Sequence, residues 1–246
     1  MKIDKGFLKS ENKLYIAYRH YRNNNQRVVV IAPGFFNSKD SELLGLLGDK
    51  LSKENDVFMF DFRGHGKSSG LFTWTSNEAN DLKAVLGFLK GKYEKTAVIG
   101  FSLGGSTSIN VLSENKYKVD SFIGVSVPSD FEKIDYKWWQ LDWKNDIVYS
   151  MLTKGGRQGK GVKVGAWWLP KQKPIDNVSK LNMPILYVHG EKDWVVEMRH
   201  SENLYEKTNT KKDLIIIENG PHAEYLLRKH NNIFYEAINS WLDETL

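Results

Sequence analysis

The stretch Ala97-Val98-Ile99-Gly100-Phe101-Ser102-Leu103-Gly104-Gly105 constrains this chain more than any other. Its first four residues are apolar or small and read as a buried strand. Gly-x-Ser-x-Gly follows, and residues 106–112 can continue only as a helix. A strand that turns directly into a helix through Ser102 holds the hydroxyl at the tip of a sharp, strained bend. Gly100 and Gly104 keep the flanks of that bend free of side chains, and Gly105 lets the helix come close to the sheet. The helix N-terminus faces the serine and favours negative charge there. This is a nucleophile's position if the rest of the chain supplies a base, an acid and an oxyanion site. Without them it is a glycine-rich turn.

The chain around it alternates strands and helices. Phe7-Leu8-Lys9 and residues 14–19 read as a hairpin turning at Glu11-Asn12-Lys13. Residues 27–32 are a β-branched apolar run, the pattern of a strand covered on both faces. Residues 40–53 place Leu43, Leu44, Leu47 and Leu51 on one side of a helix. Strands are expected at 56–60, 121–127, 184–189 and 214–217, and helices at 77–90, 197–207 and 223–242, the last broken near Asn231-Asn232. This order predicts an α/β fold, a mostly parallel sheet with helices on both faces. The alternation fails over residues 129–180, so the expected division is a core of 1–128 and 181–246 with an aromatic-rich insert at 129–180.

In a parallel sheet functional groups gather beyond the carboxyl ends of the strands. His189-Gly190-Glu191-Lys192-Asp193 follows one strand, and Glu218-Asn219-Gly220-Pro221-His222 follows the next. Taken singly, His222 suits a turn at a helix start, and Asp193 suits a helix cap. Together with Ser102 they complete a Ser…Asp…His order, each member at a strand end. Ser102 is then the nucleophile, His222 the base and acid, and Asp193 the group that orients the imidazole. Activity of such a site falls as pH drops through the imidazole pKa, roughly 6.5 for a free side chain. The oxyanion donors are expected to be the backbone N–H groups of Leu103 and Phe35. Asp130 is a possible alternative acid. His65 and His189 are expected to brace their own turns, and His20, His200 and His230 to lie at the surface.

These residues resemble the α/β-hydrolase superfamily. The match rests on Ala32-Pro33-Gly34-Phe35, Asp61-Phe62-Arg63-Gly64-His65-Gly66-Lys67-Ser68, the Ser102 segment, and the Asp193 and His222 segments. The Arg-Gly-His-Gly-x-Ser turn is similar to that of single-chain esterases and monoglyceride-lipase-like enzymes. The resemblance implies an eight-stranded sheet with a cap inserted after the sixth strand, and a serine hydrolase of carboxylic esters. The family pattern has His-Gly before the oxyanion residue where this chain has Pro33-Gly34, which implies altered loop packing. The alternatives are thioester, amide or carbon–carbon cleavage at the same site, or a non-catalytic ligand-binding protein of this fold.

Composition bounds the rest. The formal charge of +5 is spread along 246 residues, without the basic stripe that nucleic acid needs. The absence of cysteine rules out disulfides and thiolate metal sites, and no metal or organic cofactor is implied. No apolar run approaches the roughly 20 residues of a membrane span, and the first residues lack a signal-peptide core, so a cytoplasmic protein acting on a small-molecule ester is expected. The insert's Trp138, Trp139, Trp143, Trp167 and Trp168, with Phe36 and Trp194, are the expected substrate-binding residues, lining an apolar acyl or aryl pocket, and the insert's aromatics equally suit packing of a small cap onto the sheet. The glycine-rich run 154–163 is not a phosphate loop, because no strand precedes it and no hydroxyl residue follows Lys160.

Overall fold

The computed structural model describes residues 1–134 and 161–246. One sheet of eight strands runs through it: β1 (Lys2–Lys9), β2 (Tyr15–Arg22), β3 (Arg27–Ala32), β4 (Asp56–Phe60), β5 (Lys95–Phe101), β6 (Ser121–Val125), β7 (Ile185–Gly190) and β8 (Lys212–Ile217). Their spatial order is β1-β2-β4-β3-β5-β6-β7-β8. β1 pairs with β2, and β2 with β4, antiparallel; every other pair is parallel. Among the described residues the α-helices are α1 (Glu42–Leu51), α2 (Glu78–Leu89), α3 (Leu103–Leu112), α4 (Arg199–Lys207), α5 (Leu226–Lys229) and α6 (Asn231–Thr245).

The parallel strands are apolar on both faces, and their residues divide by parity between two cores. Val28, Val30, Phe58, Phe60, Val98, Phe122 and Tyr187 share a cluster with Leu82, Val85 and Leu86 of α2 and Ile109 and Leu112 of α3. Val29, Ile31, Val57, Met59, Ile99, Ile123 and Val188 share the other with Leu43, Leu44 and Leu47 of α1 and Phe234, Ile238 and Trp241 of α6. Each fully buried aliphatic or aromatic side chain contributes about 1.5–3 kcal/mol. A one-residue slip of any strand would exchange its two faces, so the register that sets the loops is held by both cores.

The expected elements are present with small shifts. β1 and β2 are longer than the hairpin read from the sequence, because cross-strand pairing with each other and with β4 carries them beyond their apolar residues. The closing helix breaks at His230, one residue before the expected place, where the backbone leaves helical geometry (φ −128, ψ 34). His20 and His200 are corrections: both are buried, not at the surface. His20 finds a partner in Tyr93, and His200 in Ser129, whose N–H and hydroxyl both approach its Nδ1.

Of the region between β6 and β7, residues 161–165 return to the loop that follows β4. Lys163 N–H donates to Gly64 O, Phe72 N–H to Lys163 O, and Gly165 N–H to Phe72 O, each at 2.8 Å. Trp138, Trp139 and Trp143 and most of the glycine-rich run lie outside the described residues.

Candidate active site

Ser102 sits between β5 and α3 with φ 47 and ψ −113, a conformation that costs an L-residue on the order of 1–3 kcal/mol. What holds it there is the absence of side chains nearby. A Cβ added at Gly100 would lie 2.5 Å from Gly105 Cα, and one at Gly104 would press into the Ala32 carbonyl. Ser102 N–H donates to Val125 O at 2.8 Å, so the strained residue is tied to the carboxyl end of β6.

The same strand end ties down the histidine segment. Ser126, itself at φ 50, accepts the Ala223 N–H on its Oγ at 3.0 Å. His222 and Ser102 are thus both anchored to consecutive residues at the end of β6. His222 Nδ1–H donates to Asp193 Oδ2 at 2.7 Å. The other carboxylate oxygen of Asp193 accepts the N–H groups of Val195 (3.0 Å) and Val196 (2.9 Å). Asp193 does not cap α4, whose N-cap is Met198; one of its oxygens holds the turn at Val195 and Val196, and the other meets the His222 imidazole. Burial pushes this carboxyl up, but the His222 imidazole and the hydrogen bonds from His189 and His222 outweigh it, holding Asp193 well below the ordinary aspartate value.

His189 braces this loop, as read from the sequence. Its Nε2 lies 2.8 Å from Val196 O, which can only accept, so Nε2 carries the proton and Nδ1 accepts from the Ser201 hydroxyl at 2.6 Å. Asp130, the alternative acid, is committed elsewhere. It caps the turn at Glu132 and takes the Lys173 ammonium at 3.1 Å.

The loop after β3 closes the site from the other side. A Cβ at Gly34 would come within 3.5 Å of Ser102 Cβ and 3.9 Å of Glu224 Oε2, so three separate segments meet at this point. Among the described residues, neither the Phe35 N–H nor the Leu103 N–H donates to an acceptor. Beyond Phe35 the loop is held by a residue that the sequence reading passed over. Lys39 is only 4% exposed, and its ammonium pairs with buried Asp61 at 2.9 Å and with Asp40 at 2.8 Å. Asp61 also accepts the N–H groups of Lys39 (2.7 Å) and Lys67 (2.9 Å). One carboxylate thereby joins the Phe35 loop to the Arg-Gly-His-Gly turn. In that turn, Arg63 makes a two-pronged ion pair with Asp81 at 2.7 and 3.0 Å, and His65 Nδ1 approaches Arg63 O at 3.1 Å. Only the alternating Lys and Asp in the loops hint at these pairs, and nothing in a linear pattern says which will be buried.

Phe35 stacks on Phe72 (4.9 Å between ring centres) and packs against Trp74 (5.0 Å) and the half-exposed Phe36 (4.1 Å). Trp74 then lines a cleft of about 520 Å³ with Phe131, Ile134, Trp167, Trp168 and Pro170. Trp167 and Trp168 are 64% and 70% exposed, their rings at 83° to each other. Ser102 is not on the lining of this cleft, which reaches the serine's surroundings through the Trp74–Phe35 contact. Trp194 lies partly buried beside Asp193, also off that lining. Among the described residues no helix is long and apolar enough to cross a membrane.

The sequence profile of the alpha/beta hydrolase fold matches residues 27–153. The chain belongs to the α/β-hydrolase family. It is 25% identical over 190 residues to the uncharacterized protein YfhR of Escherichia coli K12, covering 74% of this chain and 58% of YfhR. It is 26% identical over 203 residues to the uncharacterized protein YqkD of Bacillus subtilis, covering 76% of this chain and 62% of YqkD. The matched region thus spans about three fifths of these curated relatives. Among solved structures, an esterase of Pyrococcus furiosus shares the fold with a TM-score of 0.77 at 21% identity, over 99% of this chain and 93% of the esterase.

Proposed function

We propose that this α/β-hydrolase chain is a serine hydrolase that cleaves carboxylic esters through an acyl-enzyme. The observation that carries the reading is the 2.7 Å contact between His222 Nδ1 and the buried carboxylate of Asp193, anchored to the same strand end as the strained Ser102. With Nδ1–H committed to Asp193, the proton-free nitrogen of neutral His222 is Nε2, which makes it the base. Ser102 Oγ attacks the ester carbonyl while its proton passes to Nε2. The carbonyl π electrons move to oxygen, and that oxyanion takes the Phe35 and Leu103 N–H groups, with the N-terminus of α3 behind the second. Collapse of the tetrahedral intermediate expels the alkoxide, which leaves with the proton from His222. Water then repeats the sequence on the acyl-enzyme, releasing the acid and restoring Ser102.

The imidazolium formed midway is stabilised by an Asp193 that stays ionised at any pH where the base is neutral. The low pH limb of activity is therefore the protonation of His222, not of Asp193. The insert of residues 129–180 serves in this reading as the cap, with Trp167, Trp168 and Phe36 facing the substrate's apolar part. The esterase nature of the Pyrococcus furiosus protein is consistent with the reading. The test is labelling by a fluorophosphonate probe of the wild type beside Ser102→Ala and His222→Ala. Labelling that needs both residues is the expected result. A wild type that neither reacts nor turns over a panel of acyl esters would defeat the proposal and favour a ligand-binding role.

A further inference from the structure

At the far end of the sheet, where β4 begins, lies a second cleft of about 830 Å³. Nothing in the proposed ester chemistry uses it. Its floor is a chain of polar groups from β2, β4 and the turn after α2. His20 of β2 has Nε2 at 2.7 Å from the Tyr93 hydroxyl, and that hydroxyl donates to Asp56 Oδ2 at 2.8 Å. Asp56 is 1% exposed, and its other oxygen accepts the N–H groups of Asn23 (2.8 Å) and Asn25 (3.2 Å).

Proton counting fixes the arrangement. Tyr93 has one proton, and Asp56 takes it. The phenol oxygen can then only accept, so His20 carries its proton on Nε2 and leaves Nδ1 as a bare acceptor on a residue that lines the cleft. Burial, reinforced by Arg22 and Lys92 against the pull of Asp56 and Asp4, holds His20 down to about 4, so the ring stays neutral at physiological pH.

The walls carry the opposite character. Arg22 and Lys92 both line the cleft. Arg22 reaches Asp4 only at 3.4 Å, and Asp4 is shared with Lys2 at 3.1 Å. Among the described residues Lys92 has no carboxylate within ion-pair distance; its ammonium sits 3.3 Å over the Phe88 ring. Tyr18 and Phe88 continue as an aromatic wall, their rings 5.9 Å apart. The cleft therefore offers Lys92, which has no carboxylate partner among the described residues, Arg22, which shares the lining carboxylate Asp4 with Lys2, one neutral imidazole acceptor, and two aromatic rings tilted by 35°.

We infer that this cleft is a second ligand site, for an organic phosphate monoester carrying a planar apolar group. The phosphate oxygens meet Arg22 and Lys92, and below about pH 6, where the monoester keeps its second proton, the P–OH of the monoanion donates to His20 Nδ1. The planar group lies against Tyr18 and Phe88. Binding here is independent of Ser102.

The test uses the full chain with Ser102→Ala, so that no turnover or acylation intervenes, and phenyl phosphate as the probe in calorimetry at low salt and about pH 5.5, where the probe keeps its second proton and His20 stays neutral. Phenyl phosphate binds at one site, and Lys92→Gln and Arg22→Gln each weaken it about tenfold or more, the loss of one charge-assisted contact. Inorganic phosphate binds at least several-fold more weakly than phenyl phosphate. Made in the Ser102 background, both variants keep the wild-type turnover and circular dichroism, which separates a lost ligand contact from a lost fold. No binding of phenyl phosphate overturns the inference. So does binding that both glutamine variants leave unchanged, because the ligand then lies elsewhere. Equal affinity for inorganic phosphate overturns the aromatic wall's part in it.

Discussion

Each end of the sheet buries a carboxylate with an imidazole nearby, and the two clusters are built for different ends. At the carboxyl end, Asp193 touches His222 directly, and a serine held in a strained backbone is tied to the same strand end as the histidine segment. At the amino end, the Tyr93 hydroxyl stands between Asp56 and His20, and the depressed pKa of His20 keeps its ring neutral. A carboxylate in contact with an imidazole favours the imidazolium that forms when the ring takes a proton. With a phenol in between, the pull of Asp56 on the ring is outweighed by burial, so His20 can accept a hydrogen bond but is a poor base. In the two roles proposed above, the same three ingredients, carboxylate, imidazole and hydroxyl, give a proton-transfer device or a recognition surface according to their order.

The sharpest way to break this contrast is at Ser102. Ser102→Ala should lower ester turnover by at least about 10⁴-fold with the thermal midpoint almost unmoved, measured by steady-state kinetics beside calorimetry. An undiminished rate would mean that the strained serine is not the nucleophile. Asp193→Asn comes next. It should cost about 10³–10⁴-fold in kcat, because the amide no longer favours the imidazolium or the right tautomer. Asp130→Asn should cost little, since that carboxylate serves Glu132 and Lys173. A large loss at Asp130 with a small one at Asp193 would reverse the assignment of the acid.

Lys39→Met tests whether the ion pairs behind the oxyanion loop matter to chemistry as well as to folding. It leaves Asp61 buried and unpaired, a cost of about 3–5 kcal/mol in denaturant unfolding. In protein that remains folded, kcat should fall more than KM changes, because the Phe35 N–H is needed most when the oxyanion forms. Lys39→Arg should restore part of both. A stability loss with kcat untouched would make the pair purely structural.

The smallest expected effect lies at the amino end. His20 takes a proton near pH 4 in the folded chain but near 6.5 when unfolded. Below pH 6.5 the unfolded chain therefore binds a proton that the folded chain refuses. The His20 contribution is complete above pH 6.5 and is lost as pH falls towards 4, up to about 3 kcal/mol. His20→Gln cannot titrate, so its stability should fall less steeply than the wild type's between pH 6.5 and 4. Parallel pH profiles would show that burial, with Arg22 and Lys92 and against the pull of Asp56 and Asp4, does not hold the ring neutral.

The two ends differ as much in how readable they are. Ser102, Asp193 and His222 stand out because each follows a recognisable strand and the bend at Ser102 demands small neighbours in sequence. Asp56, Tyr93 and His20 have no such signature. They lie on β4, after α2 and on β2, and antiparallel pairing of β2 with β4 brings two of them together. The sequence places His20 at the surface because a lone histidine on an alternating strand gives no sign of which face will be covered. Lys39 went unnoticed for a related reason: a lysine between polar loop residues is ordinarily solvated, and only the fold surrounds it with Asp61 and Asp40.

By itself, the sequence determined the order of strands and helices, the parallel core and the bend at Ser102. These depend on local terms: which residues tolerate a strained φ, where apolar runs begin and end, and how far apart they fall. The tertiary structure alone decided which charges are buried, which oxygen of Asp193 serves the loop and which the imidazole, and that a histidine on β2 faces a cleft. Those outcomes depend on desolvation and hydrogen-bond geometry between groups distant in the chain, and such terms have no value until the chain has closed around them.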